Sequence, residues 1–188
     1  MSERTEVTFE ELHGINSEEL VREAQAEETI RGGKYFAKLV KADTYRNGHD
    51  DLYDAGRGII NARLQLFKLD DPTQKAGQVF CKMSWERKVT ASGRSDGKFR
   101  LYKDFLLAVA TASDSPAEAI ALGQQQFFMV DVQEKVIAPV EALHEDHLAS
   151  AKGEGDTWVK ITSDEHRDHY LGEGLEIRTM VDRIAKVR

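Results

Sequence analysis

The hydrophobic pattern of the chain changes near residue 33. From Lys34 onward apolar and polar positions alternate, with Tyr35, Ala37, Leu39 and Lys41 on one side and Phe36, Lys38 and Val40 on the other. A period of two is expected of a strand with one face on a core. The stretch Ile59 to Leu69 is the clearest strand: Ile60, Ala62, Leu64 and Leu66 share one face, and Asn61, Arg63, Gln65 and Phe67 share the other. A third strand is predicted from Gln78 to Arg87, setting Val79, Cys81, Met83 and Trp85 against Phe80, Lys82, Ser84 and Glu86. Between them lie a long polar loop with glycines after Asn47 and a turn at Asp70-Asp71-Pro72-Thr73.

Helical spacing follows a small-residue basic loop over 88–98. Leu101, Phe105, Ala108 and Ala112 recur at the helical period, with Tyr102, Leu106 and Val109 widening the stripe. Ser115-Pro116-Ala117-Glu118 has the form of a capping box and predicts a second, adjacent helix that stops at Gly123. Gln124 to Val132 returns to β character as a fourth strand. Ala138 to Gly155 reads as a helical or loop insertion, and a fifth strand comes from either Thr157 to Ile161 or the alternating stretch Leu175 to Arg183. Before all of this, Ser17 is placed to cap a short acidic helix.

Three meandering strands, a helical segment and two more strands is the order of an OB-fold, a five-stranded, partly open Greek-key barrel. The same order suits other α+β domains. The expected layout is an α+β, mainly β domain over 33–188, OB-fold-like, with a helix between strands 3 and 4 and an insertion near 139–156, preceded by an acidic extension over 1–32.

Composition narrows the function. With 31% charged and 40% hydrophobic residues the chain is globular, and no apolar run approaches the roughly 20 residues that cross a bilayer. Met1 to Glu11 carries charges where a signal peptide needs an apolar stretch, and Cys81 is the lone cysteine, so a reducing, cytoplasmic setting is expected. The net charge of −7 conceals a reversal along the chain. Residues 1–30 hold nine Glu against two Arg, for −7; residues 31–110 hold sixteen Lys/Arg against nine Asp/Glu, for +7; residues 111–188 return to −7. A polyanion meets the local field rather than the net charge, so an acidic protein can hold a nucleic-acid site in its basic middle.

The candidate chemistry lies in that middle. Arg63, Phe67, Phe80 and Lys82 mix cations and aromatic rings on the polar faces of two strands, and Trp85, Arg87, Lys88, Arg94, Lys98 and Arg100 extend the track. Unpaired bases stack on such rings while Lys and Arg pair with phosphates. If Phe67 or Phe80 were packed under the helices, they would be core instead. The pairs His144/His147 and His166/His169 are each three residues apart, but they lack the His-Glu-x-x-His spacing of zinc proteases and sit in charged stretches that read as solvated surface. Cys81, on the apolar side of its strand, reads as a buried inert thiol. No nucleophile elbow, phosphate-binding loop or dinucleotide fingerprint occurs. Asp50, Asp51, Asp54, Asp70 and Asp71 sit beside turn formers and keep a metal-dependent nuclease open as an alternative.

Gly33-Lys34-Tyr35, the strand from Ile59 to Phe67, Phe105-Leu106-Leu107-Ala108 and Asp182-Arg183-Ile184 give the chain a layout over 33–188 that resembles phage-encoded single-stranded DNA-binding proteins with an OB-fold. The resemblance implies a non-catalytic protein that coats single strands during replication or recombination in the host cytoplasm, without sequence preference or cofactor; the histidine spacing gives no metal site. Its implied partners are single-stranded DNA and replication or recombination proteins, with no membrane, and a homodimer is one open state of assembly. Many such proteins end in an acidic tail, whereas this chain ends Lys186-Val187-Arg188, which puts recruitment through the C-terminus in question. A protein-interaction module or phage accessory component is the remaining alternative.

Overall fold

The computed structural model describes residues 30–48, 54–109 and 115–188. The acidic segment over 1–29, with its Ser17-capped helix, lies outside the described residues, as do Asp50 and Asp51.

Six antiparallel strands form one open sheet: β1 (Gly33–Arg46), β2 (Gly58–Phe67), β3 (Lys75–Met83), β4 (Phe128–Ala138), β5 (Thr157–Ile161) and β6 (Arg178–Lys186). Two helices, α1 (Gly97–Ala108) and α2 (Pro116–Gln125), connect β3 to β4, and a third, α3 (Asp164–Gly172), connects β5 to β6. The architecture is α+β. The order is β3-β2-β1-β4-β5, with β6 paired to β4. β4 is long enough to serve three neighbours: Phe128 to Val132 pair with β1, Glu134 to Ala138 pair with β5, and β6 runs along the opposite edge. This corrects the five-strand expectation, because 157–161 and the C-terminal stretch both become strands, on different edges of β4.

Alternation decides what is buried. Leu39, Ile60, Leu64, Leu66, Val79 and Met83 point inward, where they meet Phe128 and Val130 of β4 and Leu101, Tyr102 and Phe105 of α1 in one core. Cys81 belongs to that core, and burial pushes its thiol up to about 12, which makes it inert at neutral pH. A second, smaller core of Val136, Leu143, Val159, Ile161 and Tyr170 fixes the 139–156 connection and α3 to the far end of the sheet. The connection carries two 3₁₀ turns, Val140–Ala142 and Glu145–Ser150.

Three local expectations are corrected. Ser115 makes no side-chain cap, and Pro116 alone opens α2. Gly123 does not end that helix, which continues to Gln125; it is buried, and a Cβ there would come within 2.6 Å of Phe105 Cζ. β3 stops at Met83, so Ser84 and Trp85 leave the strand's alternation.

Candidate functional site

The outward face of β1, β2 and β3 carries the polar halves of the alternation. Strand register places Arg63 opposite Phe80, and on its other side opposite Lys41. The Arg63 guanidinium carbon lies 5.4 Å from the Phe80 ring centroid, and Phe80 is 60% exposed. Asn61 stands opposite Lys82, and Gln65 joins Lys38 to Gln78. Gln65 is itself fixed, donating to the Gly77 carbonyl at 2.8 Å and accepting from Gln78 at 3.2 Å. Lys41 keeps company with Asp43 at 3.4 Å, an exposed pair of small energetic weight.

One strand length along, Phe67 faces Phe36. Phe127, from the link between α2 and β4, closes the group edge-to-face, with centroids 5.3 Å from Phe67 and 6.2 Å from Phe36. Lys38 Nζ sits 4.4 Å above the Phe127 ring. Three half-open rings and a cation therefore continue the Arg63, Phe80 and Lys82 surface. Phe36, Lys38 and Phe127 were missed in the sequence. The first two were legible as the outward half of β1, whereas Phe127 precedes its strand and has no alternation to mark it.

Farther along the same side of the sheet, Trp158 is exposed, with the Arg178 guanidinium 5.8 Å from its ring. Lys135 lies between Lys160 and Arg178 in the register. This second cation and aromatic group was also missed, because it depends on β5 and β6 flanking β4.

Three of the predicted residues leave the face. Trp85 is half-buried against the core, with its ring over Gly58, where a Cβ would approach Trp85 Cζ2 to 2.1 Å. Lys98 lies in α1 and pairs with the buried Asp54 carboxylate. Arg100, also on α1, donates to the Asp182 carbonyl at 3.2 Å. α1 packs on the core side of the sheet, so neither of these cations joins Arg63 and Phe80. Arg87, Lys88 and Arg94 occupy the loop after β3, which folds back through a Val89–Ser95 bridge and an Asp96 N–H bond to the Lys88 carbonyl at 2.9 Å. Arg87 and Arg94 are exposed there, and Lys88 is half-buried.

A buried ionic knot holds this loop against the sheet. Arg57 makes two 2.6 Å bonds to Asp96, one of 3.0 Å to Asp54 and one of 3.0 Å to the Glu86 carbonyl. Asp96 also caps α1 through the Phe99 N–H. Burial works against ionising Asp54 and Asp96, but the hydrogen bonds from Lys98 and Arg57 to Asp54, and from Arg57 to Asp96, outweigh it and hold both below the usual carboxylate range. Asp54 is thereby committed to structure. Asp71 accepts from the Thr73 backbone N–H and hydroxyl on one oxygen, as a turn former does, and its side chain is exposed.

The histidines depart furthest from expectation. The two pairs, far apart in sequence, meet beside the second core. His144 and His166 are buried, with ring centroids 4.8 Å apart; His147 lies 4.4 Å from His166, and His169 lies 5.1 Å from His144. The solvated-surface reading is corrected, because the 3₁₀ turn and α3 pack face to face through Tyr170. Tyr170 accepts from the His144 N–H at 3.2 Å and bonds His147 Nδ1 at 2.6 Å. Asp146 completes a set of three, with one ligand-type atom each from His144, Asp146 and His166 within 4.8 Å of one another. Burial, then the neighbouring His166 and His144, push His147 toward its neutral form. Comparison with protein-family models, curated proteins and solved structures finds no match to this chain.

Proposed function

We propose that the chain is a non-catalytic, sequence-independent single-stranded DNA-binding protein that reads its ligand on the outer face of β1, β2 and β3. The observation that carries this reading is the placement of Phe80, Arg63 and Lys82 on one solvent-facing wall, continued by Lys38 and the Phe36, Phe67 and Phe127 rings. Rings accept bases of any identity, at about 1–3 kcal/mol per stacked base, and the cations beside them suit phosphates. A duplex hides the faces of its bases and has no use for exposed rings, so the wall favours single strands. The Trp158, Lys160 and Arg178 group lies on the same side of the sheet and supports a longer track.

The fold supports this reading as an OB-like, partly open barrel. β3 and β6 pass close to one another without pairing, and α1 packs against both, as a helix plugging a nearly closed sheet would. A role in replication or recombination, in a phage or elsewhere, follows from the ligand class.

The test is binding of a labelled poly-pyrimidine oligonucleotide against the same sequence as duplex. Preference for the single strand, with the oligonucleotide intact in the presence of magnesium or manganese, supports the proposal. Binding to neither form favours a surface that docks protein, and metal-dependent cleavage identifies a nuclease.

A further inference from the structure

We propose that His144, Asp146 and His166 form a binding site for one divalent transition metal of the zinc class. The site is separate from the outer sheet face, and the inference does not rest on the function proposed for that face.

The geometry starts from Asp146. Its Oδ2 lies 2.7 Å from His166 Nε2 and 3.5 Å from His144 Nδ1. Metal–nitrogen and metal–oxygen bonds of about 2.0–2.2 Å place neighbouring ligand atoms about 3–3.5 Å apart; the two contacts to Asp146 lie near that spacing, and the two imidazoles, within the 4.8 Å span of the set, would draw together on binding. The outer partners argue the same way. On each ring the nitrogen away from Asp146 is already held: His144 Nε2 by Glu165 at 3.3 Å and His166 Nδ1 by the Thr162 hydroxyl at 3.3 Å. Metal-binding imidazoles are oriented in this way, by a carboxylate or other acceptor on the second nitrogen, which fixes the tautomer and raises the basicity of the first.

Two further histidines complete the setting. His147 Nδ1 is occupied by Tyr170, and its ring lies 4.4 Å from that of His166, beside the set of three rather than in it. His169 donates Nε2–H to the Ala142 carbonyl at 2.8 Å and packs behind His144. His144 Nδ1 accepts the Asp146 N–H at 3.1 Å, a bond that a metal on this nitrogen would replace. His144 and His166 are buried, while the Asp146 side chain is 57% exposed and leaves an open side for entry. Imidazole nitrogen with one carboxylate and no thiolate suits zinc, cobalt or nickel; magnesium and calcium prefer all-oxygen shells. A bound ion would add to the contacts that already join the 3₁₀ turn to α3: Tyr170, the His166–Asp146, His144–Glu165 and His169–Ala142 bonds, and the small second core.

The experiment uses the full chain, stripped with chelator and dialysed, then loaded with zinc or cobalt and desalted. One equivalent of zinc per chain, the intense visible bands of tetrahedral or five-coordinate cobalt, and a higher melting temperature on loading are expected. His166→Gln and Asp146→Asn should each abolish retention; the Asp146 side chain is 57% exposed, and a melting curve of each chelator-stripped variant shows that it is folded. Thr162→Val and Glu165→Gln should weaken zinc binding by about 10–100-fold. Asp70→Asn, on the exposed turn after β2, should bind like the parent chain. The inference is overturned by a folded parent chain that retains no zinc, by Asp146→Asn retaining it undiminished, or by a preference for magnesium or calcium.

Discussion

Arg63 and Phe80 face each other across β2 and β3, with the guanidinium carbon 5.4 Å from the ring centroid and the ring left largely in solvent. The pair illustrates how this sheet divides its labour. The inward side chains of these strands join the core that also takes in α1, while Arg63, Phe80 and Lys82 present charge and flat apolar surface on the outside. An exposed cation–π contact contributes only about 0.5–1 kcal/mol, so the pair is a weak stabiliser and a ring kept open for another partner.

Phe80→Ala therefore separates binding from folding. Loss of one stacking platform should weaken single-strand affinity by about 1–3 kcal/mol, or about 5- to 150-fold. Stability should stay within about 0.5 kcal/mol of the parent chain, as for other surface changes. Fluorescence anisotropy and a thermal melt on the same preparation decide the matter; a variant that binds normally would remove Phe80 from the site.

Arg57→Ala should do the opposite. It leaves Asp96 and Asp54 buried without their shared cation, and breaking a buried pair in this way costs about 3–5 kcal/mol. Urea unfolding would report that loss. A variant as stable as the parent chain would show that the knot is held without Arg57.

The same knot sets an acid limit. Asp54 and Asp96 have pKa values lowered in the folded state, so their contribution is fully present above the unfolded carboxylate value of about 3.9 and is lost as pH falls through the folded values. Melting temperature should fall steeply below about pH 4, and less steeply in Arg57→Ala, where the depression is relieved. Parallel curves for the two proteins would contradict the assignment.

Gly123→Ala probes the contact between α2 and α1. The added methyl meets Phe105 in the centre of the core, and overpacking of this kind costs about 1–3 kcal/mol. Differential scanning calorimetry should show a lower melting temperature with unchanged affinity per folded molecule. A rise in melting temperature, as expected of Gly→Ala in an open helix, would mean that the ring moves aside.

What could be read from the sequence was whatever a local period encodes. Strand alternation is a property of neighbouring residues, so it placed Arg63, Phe67, Phe80 and Lys82 on the outward face and Cys81 inside. Two features broke that logic. The irregularity between Leu39 and Lys41 inserts a residue into β1 and turns Lys41 outward beside Arg63, and β3 ends at Met83, which lets Trp85 fold over Gly58 instead of following the alternation. Lys98 has the same composition as a phosphate contact, and only the position of Asp54 in space reveals its use. The histidine pairs posed the hardest case: each looks like charged surface alone, and nothing within either motif encodes that a 3₁₀ turn and a helix bring both to Tyr170.

The most direct test of the account is the salt dependence of single-strand binding, because only a polyanion held by released counterions responds to salt in a defined way. If Lys38, Lys41, Arg63 and Lys82 each neutralise one phosphate, log K against log salt should fall with a slope of about −3 for a poly-pyrimidine oligonucleotide. A slope near zero, or no binding at low salt, would contradict it.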